Sequence, residues 1–183
     1  MVKIEETRKK ILDSKDIDNS IKRLAYELTE RFKEINDIVI IGIRTRGEFI
    51  ALRLAELLKD ISGIKIPTGF LDVTFYRDDF RERLIQPQIK GSSITFSIDG
   101  KIVILTDDVL FTGRTIRAAM NEIMDYGRPS SLSLAVLIDR GHREMPIKAD
   151  FVGKNIPTSN YEHVIVRLAE IDNKDGVYLI KCS

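Results

Sequence analysis

Two stretches of this chain pass from an unbroken β-branched run into a charged loop and then straight into a helical period. "DIVIIGI" leads through "RTRGE" to "FIALRLAELLKD", and "KIVILT" leads through "DDVLFTGR" to "TIRAAMNEIMDYG". A short apolar run without alternation suits a strand covered on both faces. Such a strand followed by a helix is the repeating unit of a parallel sheet with right-handed crossovers. The expectation is an α/β fold, a mainly parallel twisted sheet flanked by helices.

The remaining elements fit around that unit. "LDSKDIDNSIKRLAYELTERFKEI" carries Ile17, Ile21, Leu24, Leu28, Phe32 and Ile35 at steps of three and four, which predicts a helix with one apolar stripe. Ser14 is its expected cap, with Asp16 and Asp18 in the first turn. In the helix that follows Gly113, the expected apolar face is Ile116, Ala119, Met120, Ile123 and Met124. Gly127 is expected as its left-handed cap and Pro129 as its stop. "SSLSLAVLID", "ADFVGKNI", "HVIVRLAEI" and "GVYLIKC" read as later strands, a further strand lies near "IPTGFLDVTFY", and the chain opens on a short extended lead-in. Residues 76–100 are dense in charge, contain Pro87 and Gly91 and lack a clear period. They read as an excursion from the sheet, partly a hairpin, of the kind that serves as a lid.

The chain has 183 residues and is 43% apolar, enough for a single domain over 1–183 with a real core. No run of about 18 apolar residues is present, so no membrane span is expected. "MVKIEETRKK" lacks the apolar region of a signal peptide, and the single cysteine, Cys182, cannot form an intrachain disulfide. A reducing, cytoplasmic setting fits best. With 29 basic and 28 acidic side chains, nothing global points to nucleic acid, and such a partner would need a local patch.

The chemistry gathers where apolar runs end. In parallel sheets, ligands bind beyond the carboxyl ends of the strands. Three runs end in charged loops, at 44–48, 107–115 and 139–143, and the rule sets all three on one rim. The turn before Arg114 enters a helix, whose first N–H groups and dipole favour an anion. Gly113 permits close approach, Thr112 and Thr115 add hydroxyls, and Arg114 adds charge. This is a phosphate cradle with neither the Walker spacing nor GxGxxG. Asp107 and Asp108 stand just before it. Facing a phosphate they would repel it, so they must serve another part of the ligand. A ribose diol, which donates to carboxylates, is one target. A magnesium ion, which prefers carboxylate and phosphate oxygens, is another.

"VILTDDVLFTGRT", residues 103–115, resembles the phosphoribosyl-pyrophosphate (PRPP) signature of type I phosphoribosyltransferases. Thr106 stands where an aliphatic residue is more usual. The resemblance implies that family's fold, with a small hood and a flexible hairpin-like loop beside the sheet. It implies that Asp107 and Asp108 bind the ribose hydroxyls, any contact with magnesium being indirect, through PRPP. It also implies that Leu110, Phe111, Thr112, Gly113, Arg114 and Thr115 hold the 5′-phosphate. "GIRTRGE" then looks like the family's pyrophosphate loop, with Thr45 and Arg46 at its centre, and Arg77 of "YRDD" adds a contact from the closed lid.

"LIDRGHRE", together with "GRPSSLSLAV", "PIKADFVGKNIPTS" and "DVTFYRDD", resembles the PyrR family over nearly the whole chain. These are pyrimidine operon attenuation regulators that also act as uracil phosphoribosyltransferases. The resemblance implies the reaction of uracil with PRPP to give UMP and pyrophosphate, with Mg2+ accompanying PRPP. It implies Asp139 and Arg140 beside the base and Ile156 closing over it. His142 invites a general-base reading, against which stands a surface or RNA-facing one, favoured because the displacement needs no strong base. The resemblance further implies binding of UMP or UTP, binding of a leader mRNA stem-loop, and a homodimer that assembles further. Lys22, Arg23, Arg143, Lys148 and Lys154 are the basic residues available to RNA. Two narrower readings stay open: a salvage enzyme without an RNA role, and a nucleotide-sensing regulator with little catalysis.

Overall fold

The computed structural model describes residues 7–73, 91–159 and 161–181. In chain order the elements are β1 (Thr7–Leu12), α1 (Ser14–Arg31), β2 (Ile38–Ile43), α2 (Arg46–Ser62), β3 (Thr68–Leu71), β4 (Ile102–Leu110), α3 (Arg114–Tyr126), β5 (Ser131–Asp139), β6 (Phe151–Asn155), β7 (Glu162–Arg167), α4 (Ala169–Asp172) and β8 (Gly176–Lys181). All six residues of β2 are buried, as a strand covered on both faces requires. It lies inside a sheet of order β3–β2–β4–β5–β6 in which every neighbouring pair is parallel. Gly42 pairs with Thr106, Leu110 with Asp139, and Asp139 with Asn155. The register therefore brings the loops after β2, β4 and β5 to one rim, as the sequence predicts.

Alternation along the strands divides the interior in two. Ile38, Ile40, Ile104, Ala135 and Leu137 face α1 and α2, joining Ile17, Ile21, Leu24, Leu54 and Leu58. Val39, Ile41, Val103, Leu105 and Val136 face the other way, toward Ile116, Ala119 and Ile123 of α3. The hood is an antiparallel sheet of order β1–β8–β7, so the extended lead-in is a strand. Its Leu12, Val166 and Val177 join the cluster around α1 and α2. Arg53 of α2 reinforces the attachment, donating to Glu170 at 2.7–2.8 Å and to Asp175 at 2.9 Å. Hydrogen bonds to Asp175 and Glu170 hold its pKa above the ordinary arginine value.

The first turn of α2 rests directly on the sheet. A Cβ on Gly42 would lie 2.6 Å from the Cα of Glu48, and one on Gly47 would lie 2.5 Å from the carbonyl oxygen of Thr106. The Thr106 hydroxyl, fully buried, donates to the Gly47 carbonyl at 2.9 Å. The residue that departs from the aliphatic pattern thus ties the loop after β2 to the strand that carries the two aspartates.

Several local expectations change. Asp13, not Ser14, caps α1: Asp13 accepts from the Asp16 amide and Asp16 from the Asp13 amide, both at 3.0 Å. Ser14 donates instead to Asp175. The helix ends at Arg31, so Phe32 and Ile35 pack against the core from beyond it. On α3, Met120 and Met124 are exposed, at 36% and 53%, and Ala118 and Glu122 are buried in their place. The Ser92 hydroxyl donates to one oxygen of the buried Glu122 carboxylate, and the other, Oε2, is buried without a hydrogen-bond partner among the described residues. Burial raises the pKa of this carboxyl, against that hydrogen bond. Gly127 ends α3 with φ 152° and ψ −171°, a positive φ that favours glycine but not the αL cap expected, in space where a Cβ would meet Asp99 Oδ1 at 2.7 Å. "HVIVRLAEI" is a strand only to Arg167 and then turns into α4. Residues 91–100 of the excursion return beside β3, where Phe70 and Ser93 exchange backbone hydrogen bonds. Residues 76–90, and with them the expected hairpin tip and Arg77, lie outside the described residues.

Replacing Thr106 by Val removes a buried hydroxyl donor and should lower unfolding free energy by about 1–2 kcal/mol in urea titrations. Asp13→Ala should lower the urea midpoint more than Ser14→Ala. The amide hydrogen bond from Asp16 holds the Asp13 carboxyl below its ordinary value of 3.8. The cap therefore contributes fully above that value and loses its contribution as pH falls through the lower, folded-state pKa. The midpoint gap between wild type and Asp13→Ala should be wide near neutrality and narrow on strong acidification.

Candidate functional site

Beyond the carboxyl ends of β2, β4 and β5 lies a cavity of about 330 Å³. It is lined by Arg44, Thr45 and Arg46 from the first rim loop, Asp107 and Asp108 from the end of β4, and Leu110, Phe111, Thr112, Gly113 and Thr115 from the turn. Arg140 enters from the third loop and Val164 from the hood. Residues read as three separate signals in sequence thus face one space.

The first rim loop follows a cis peptide between Arg44 and Thr45. The Arg46 guanidinium is held in a two-point pair with Asp172 of α4, at 2.9–3.2 Å. Burial alone would raise the Asp172 carboxyl, but hydrogen bonds from Arg46 and from the Leu168 amide hold it below the ordinary value. Arg44 lies 3.4 Å from Glu48 and stacks over Phe70 at 5.6 Å.

Asp107 is buried and its Oδ1 accepts from the Asp108 amide at 2.9 Å; Asp108 Oδ1 accepts from the Val109 amide at the same distance. Each carboxylate is thus pinned by the next amide, and both still line the cavity. Burial pushes the Asp108 carboxyl up, while hydrogen bonding with Asp107 and the charge of Arg46 pull it down. Arg46 is therefore close enough to act electrostatically on Asp108.

At the turn, Gly113 takes φ 91°, and a Cβ there would press on Met145 at 3.1 Å. The Thr112 carbonyl accepts from the Glu144 and Met145 amides at 3.0 Å, and its hydroxyl accepts from the Arg114 amide at 3.3 Å. The Arg114 side chain pairs with Glu144 at 2.7 Å and does not line the cavity. What the turn offers an anion is its backbone, the Thr112 and Thr115 hydroxyls and the start of α3.

The third loop is built around two arginines. Arg143 donates to the carbonyls of Phe111 at 2.7 Å, Gly141 at 3.0 Å and Ile147 at 3.1 Å, and to the Asp139 carboxylate. It is a staple between two rim loops, so this residue, read as available to RNA, is half-buried and tied to the rim. Arg140 is buried, with its guanidinium 3.9 Å over the Phe111 ring, donating to Thr158 Oγ1 at 3.2 Å and to the Glu162 carbonyl at 2.7 Å. Burial lowers its pKa, and a guanidinium stays protonated regardless. Arg140 also borders a second cavity of about 230 Å³, shared with Asp139, Gly141, His142, Asn155, Pro157 and Thr158. Ile156 lines neither cavity; it is buried in the core around α1 and α2, and the apolar wall here is Pro157. His142 has φ 56°, and its Nε2 contacts the Thr158 carbonyl, which fixes the proton on that nitrogen.

Away from the rim, Arg23 of α1 donates to the carbonyls of Val152 and Gly153 on β6. This contact brings Lys22 and Arg23 alongside the edge strand that carries Lys154, and all three are exposed. Lys148 is exposed in the loop before that strand.

Sequence reasoning missed Asp172, Thr158 and Val164, which meet the rim from the last third of the chain. Asp172 is 126 residues from Arg46, so no local pattern joins them.

In fold, the chain is similar to the hypoxanthine phosphoribosyltransferase of Trypanosoma cruzi, with a TM-score of 0.73 at 21% identity over 96% of this chain and 97% of that one. The family model for the phosphoribosyl transferase domain matches residues 7–171. The bifunctional protein pyrR of Enterococcus faecalis is 53% identical over 174 residues, 95% of this chain and 97% of its own length. The bifunctional protein PyrR of Pelotomaculum thermopropionicum is 52% identical over 173 residues, 94% of this chain and 96% of its own. The matched family model and this degree of identity over almost the full length lead to one conclusion: the chain belongs to the phosphoribosyl transferase domain family and, within it, to the PyrR family.

Proposed function

We propose that this chain transfers ribose 5-phosphate from PRPP to uracil, giving UMP and pyrophosphate, and that it binds pyrimidine-operon leader RNA to control transcription termination in response to uridine nucleotides. The observation that carries the catalytic part is the single cavity onto which the Arg44–Arg46 loop, the Asp107–Asp108 pair and the turn before α3 all open. An anion cradle at each end with two carboxylates between them matches a sugar that carries a phosphate at one end and a diphosphate at the other.

In this reading the turn from Leu110 to Thr115 anchors the 5′-phosphate, mainly through backbone and hydroxyl groups. Asp107 and Asp108 accept hydrogen bonds from the ribose hydroxyls. Thr45 and Arg46 take the diphosphate, joined by Arg77 from the excursion. With both ends held, C1 of the ribose is fixed in line with the base. The uracil N1–C1 bond forms as the bond from C1 to the diphosphate oxygen breaks, and N1 gives up its proton. Negative charge grows on the leaving group, where Arg46 stabilises it. The base lies beside Arg140 and the backbone near Asp139. The Asp139 side chain itself is occupied by Arg143 and the Gly141 amide.

Among the described residues no group of three or more His, Cys, Asp or Glu side chains could hold a metal ion. The two carboxylates fit a magnesium ion brought in by PRPP and held chiefly by phosphate oxygens, as its ligand preference allows. When bound, it supplies charge neutralisation on the diphosphate. Residues 1–183 act as one unit in this account, and homodimers assembling further are part of the same proposal. For RNA, the reading rests on the exposed Lys22, Lys148 and Lys154, with Arg23 and Arg143 both already engaged, Arg23 by Glu27 and the Val152 and Gly153 carbonyls and Arg143 by the rim. Phosphate contacts of this kind suit a folded stem-loop held by shape and charge.

Asp107→Asn and Asp108→Asn should each reduce kcat/KM for PRPP by an amount worth about 1–3 kcal/mol in a labelled-uracil assay. Near-normal PRPP kinetics in both variants would remove the ribose assignment. Lys22→Glu combined with Lys154→Glu should weaken leader-RNA binding in filter assays and spare uracil transfer. Arg143→Ala should do the opposite, impairing transfer through a loosened rim. An Arg143→Ala protein with full transferase activity and no RNA binding would return that residue to the RNA surface.

A further inference from the structure

The outer face of the hood sheet carries a groove that the proposed reaction does not use. The register of β1, β8 and β7 sets Lys10, Tyr178 and Ile165 side by side in one row, with Arg8 beside Ile180 in the next. Val166 and Val177 face the other way, into the core. The groove, about 190 Å³, is completed by Arg167 and Lys174. Both cations sit against the Tyr178 ring, Arg167 at 5.6 Å and Lys174 at 5.8 Å from its centre. The ring lies across Gly176, where a Cβ would come within 2.8 Å of it.

Among the described residues Lys10, Arg167 and Lys174 form no close ion pair, and Arg167 and Lys10 act only at longer range, on Asp172 and Asp13. The hood's acids are engaged elsewhere: Glu170 and Asp175 with Arg53, Asp172 with Arg46, and Glu162 with Lys181. A chain of net charge +1 lines this one groove with four cations, two of them against its aromatic ring.

The geometry also narrows the ligand. The groove is smaller than the roughly 300 Å³ of an ordinary small-molecule pocket, and it is a strip across a sheet. A base stacked on an aromatic ring, with its phosphates on flanking cations, is how sheet faces hold single strands. Arg8 and Lys10, two residues apart on one strand, are spaced about 6.7 Å along it and offer a track for successive phosphates. A duplex hides its base faces and has none to stack.

We propose that the outer face of the hood binds a single-stranded polynucleotide, with one base on Tyr178 and the phosphates on Lys10, Arg167, Lys174 and Arg8. This surface is separate from the α1 and β6 surface assigned to the stem-loop and stands whether or not that assignment does.

The test is fluorescence anisotropy of the full chain with a labelled single-stranded oligoribonucleotide of about ten nucleotides and with a duplex of equal length. The single strand should bind more tightly. Lys10→Gln with Lys174→Gln should weaken it about tenfold and lower the slope of log affinity against log salt by about 1.4, or about 0.7 per lost phosphate contact. Tyr178→Phe should retain binding and Tyr178→Leu should lose at least about fivefold. Uracil transfer should be unchanged in all of these variants. Equal affinity for the duplex, a silent Tyr178→Leu, or equally effective competition by inorganic polyphosphate at matched charge would overturn the proposal. So would loss of single-strand binding in the Lys22→Glu, Lys154→Glu protein with the hood variants unaffected, which would leave the stem-loop reading standing.

Discussion

The site depends on how closely the first turn of α2 approaches β4. Gly47 can lie on the Thr106 backbone only because it has no side chain, and the Thr106 hydroxyl secures the contact by binding the Gly47 carbonyl. Parallel pairing of β2 with β4 sets the separation of the strands, and this approach fixes the Arg44–Arg46 loop that leaves β2 against the strand carrying the Asp107–Asp108 pair. The third loop is fastened to the turn in a comparable way, by Arg143 reaching the carbonyls of Phe111 and Gly141.

Much of this was legible from residue order. Covered strands read as β-branched runs because both faces are buried, and the rule for parallel sheets then set the charged loops on one rim. The acid pair and the turn were recognisable because their chemistry is local: a few consecutive residues hold all the groups that matter. The limits were equally physical. Arg143 and Lys154 look alike as cations in a sequence, yet one guanidinium is satisfied by backbone carbonyls and the other side chain is exposed. Met120 and Met124 fit a helical stripe, but it is Glu122 that is buried, with a hydrogen bond from Ser92, some thirty residues away. The cap of α1 shifted by one residue because Asp13 and Asp16 form a reciprocal pair and Ser14 serves Asp175.

Buried or half-buried charges hold the rim and the hood together, each matched to a partner from a distant part of the chain. Arg53 reaches Glu170 and Asp175, Arg140 reaches Thr158 and the Glu162 carbonyl, and Arg46 reaches Asp172. Removing one member of such a pair leaves a charge in poor solvent, which is costlier than the pair itself is favourable. The hood is thereby fixed in orientation as well as in contact, which apolar packing of Leu12, Val166 and Val177 alone would not do.

The pair between Arg46 and Asp172 has a further consequence for how the two halves of the molecule communicate. Asp172 ends α4, the short helix joining the two hood strands β7 and β8, and Arg46 is the first residue of α2. A polyanion that draws the guanidinium toward itself must compete with that carboxylate, and the work of separating them is done on the connector between β7 and β8. Reciprocity then requires that whatever steadies or displaces this connector alters the affinity of the rim for the polyanion by the same factor. One ion pair thus makes the hood a lever on the site, beyond what Val164 contributes to the cavity wall.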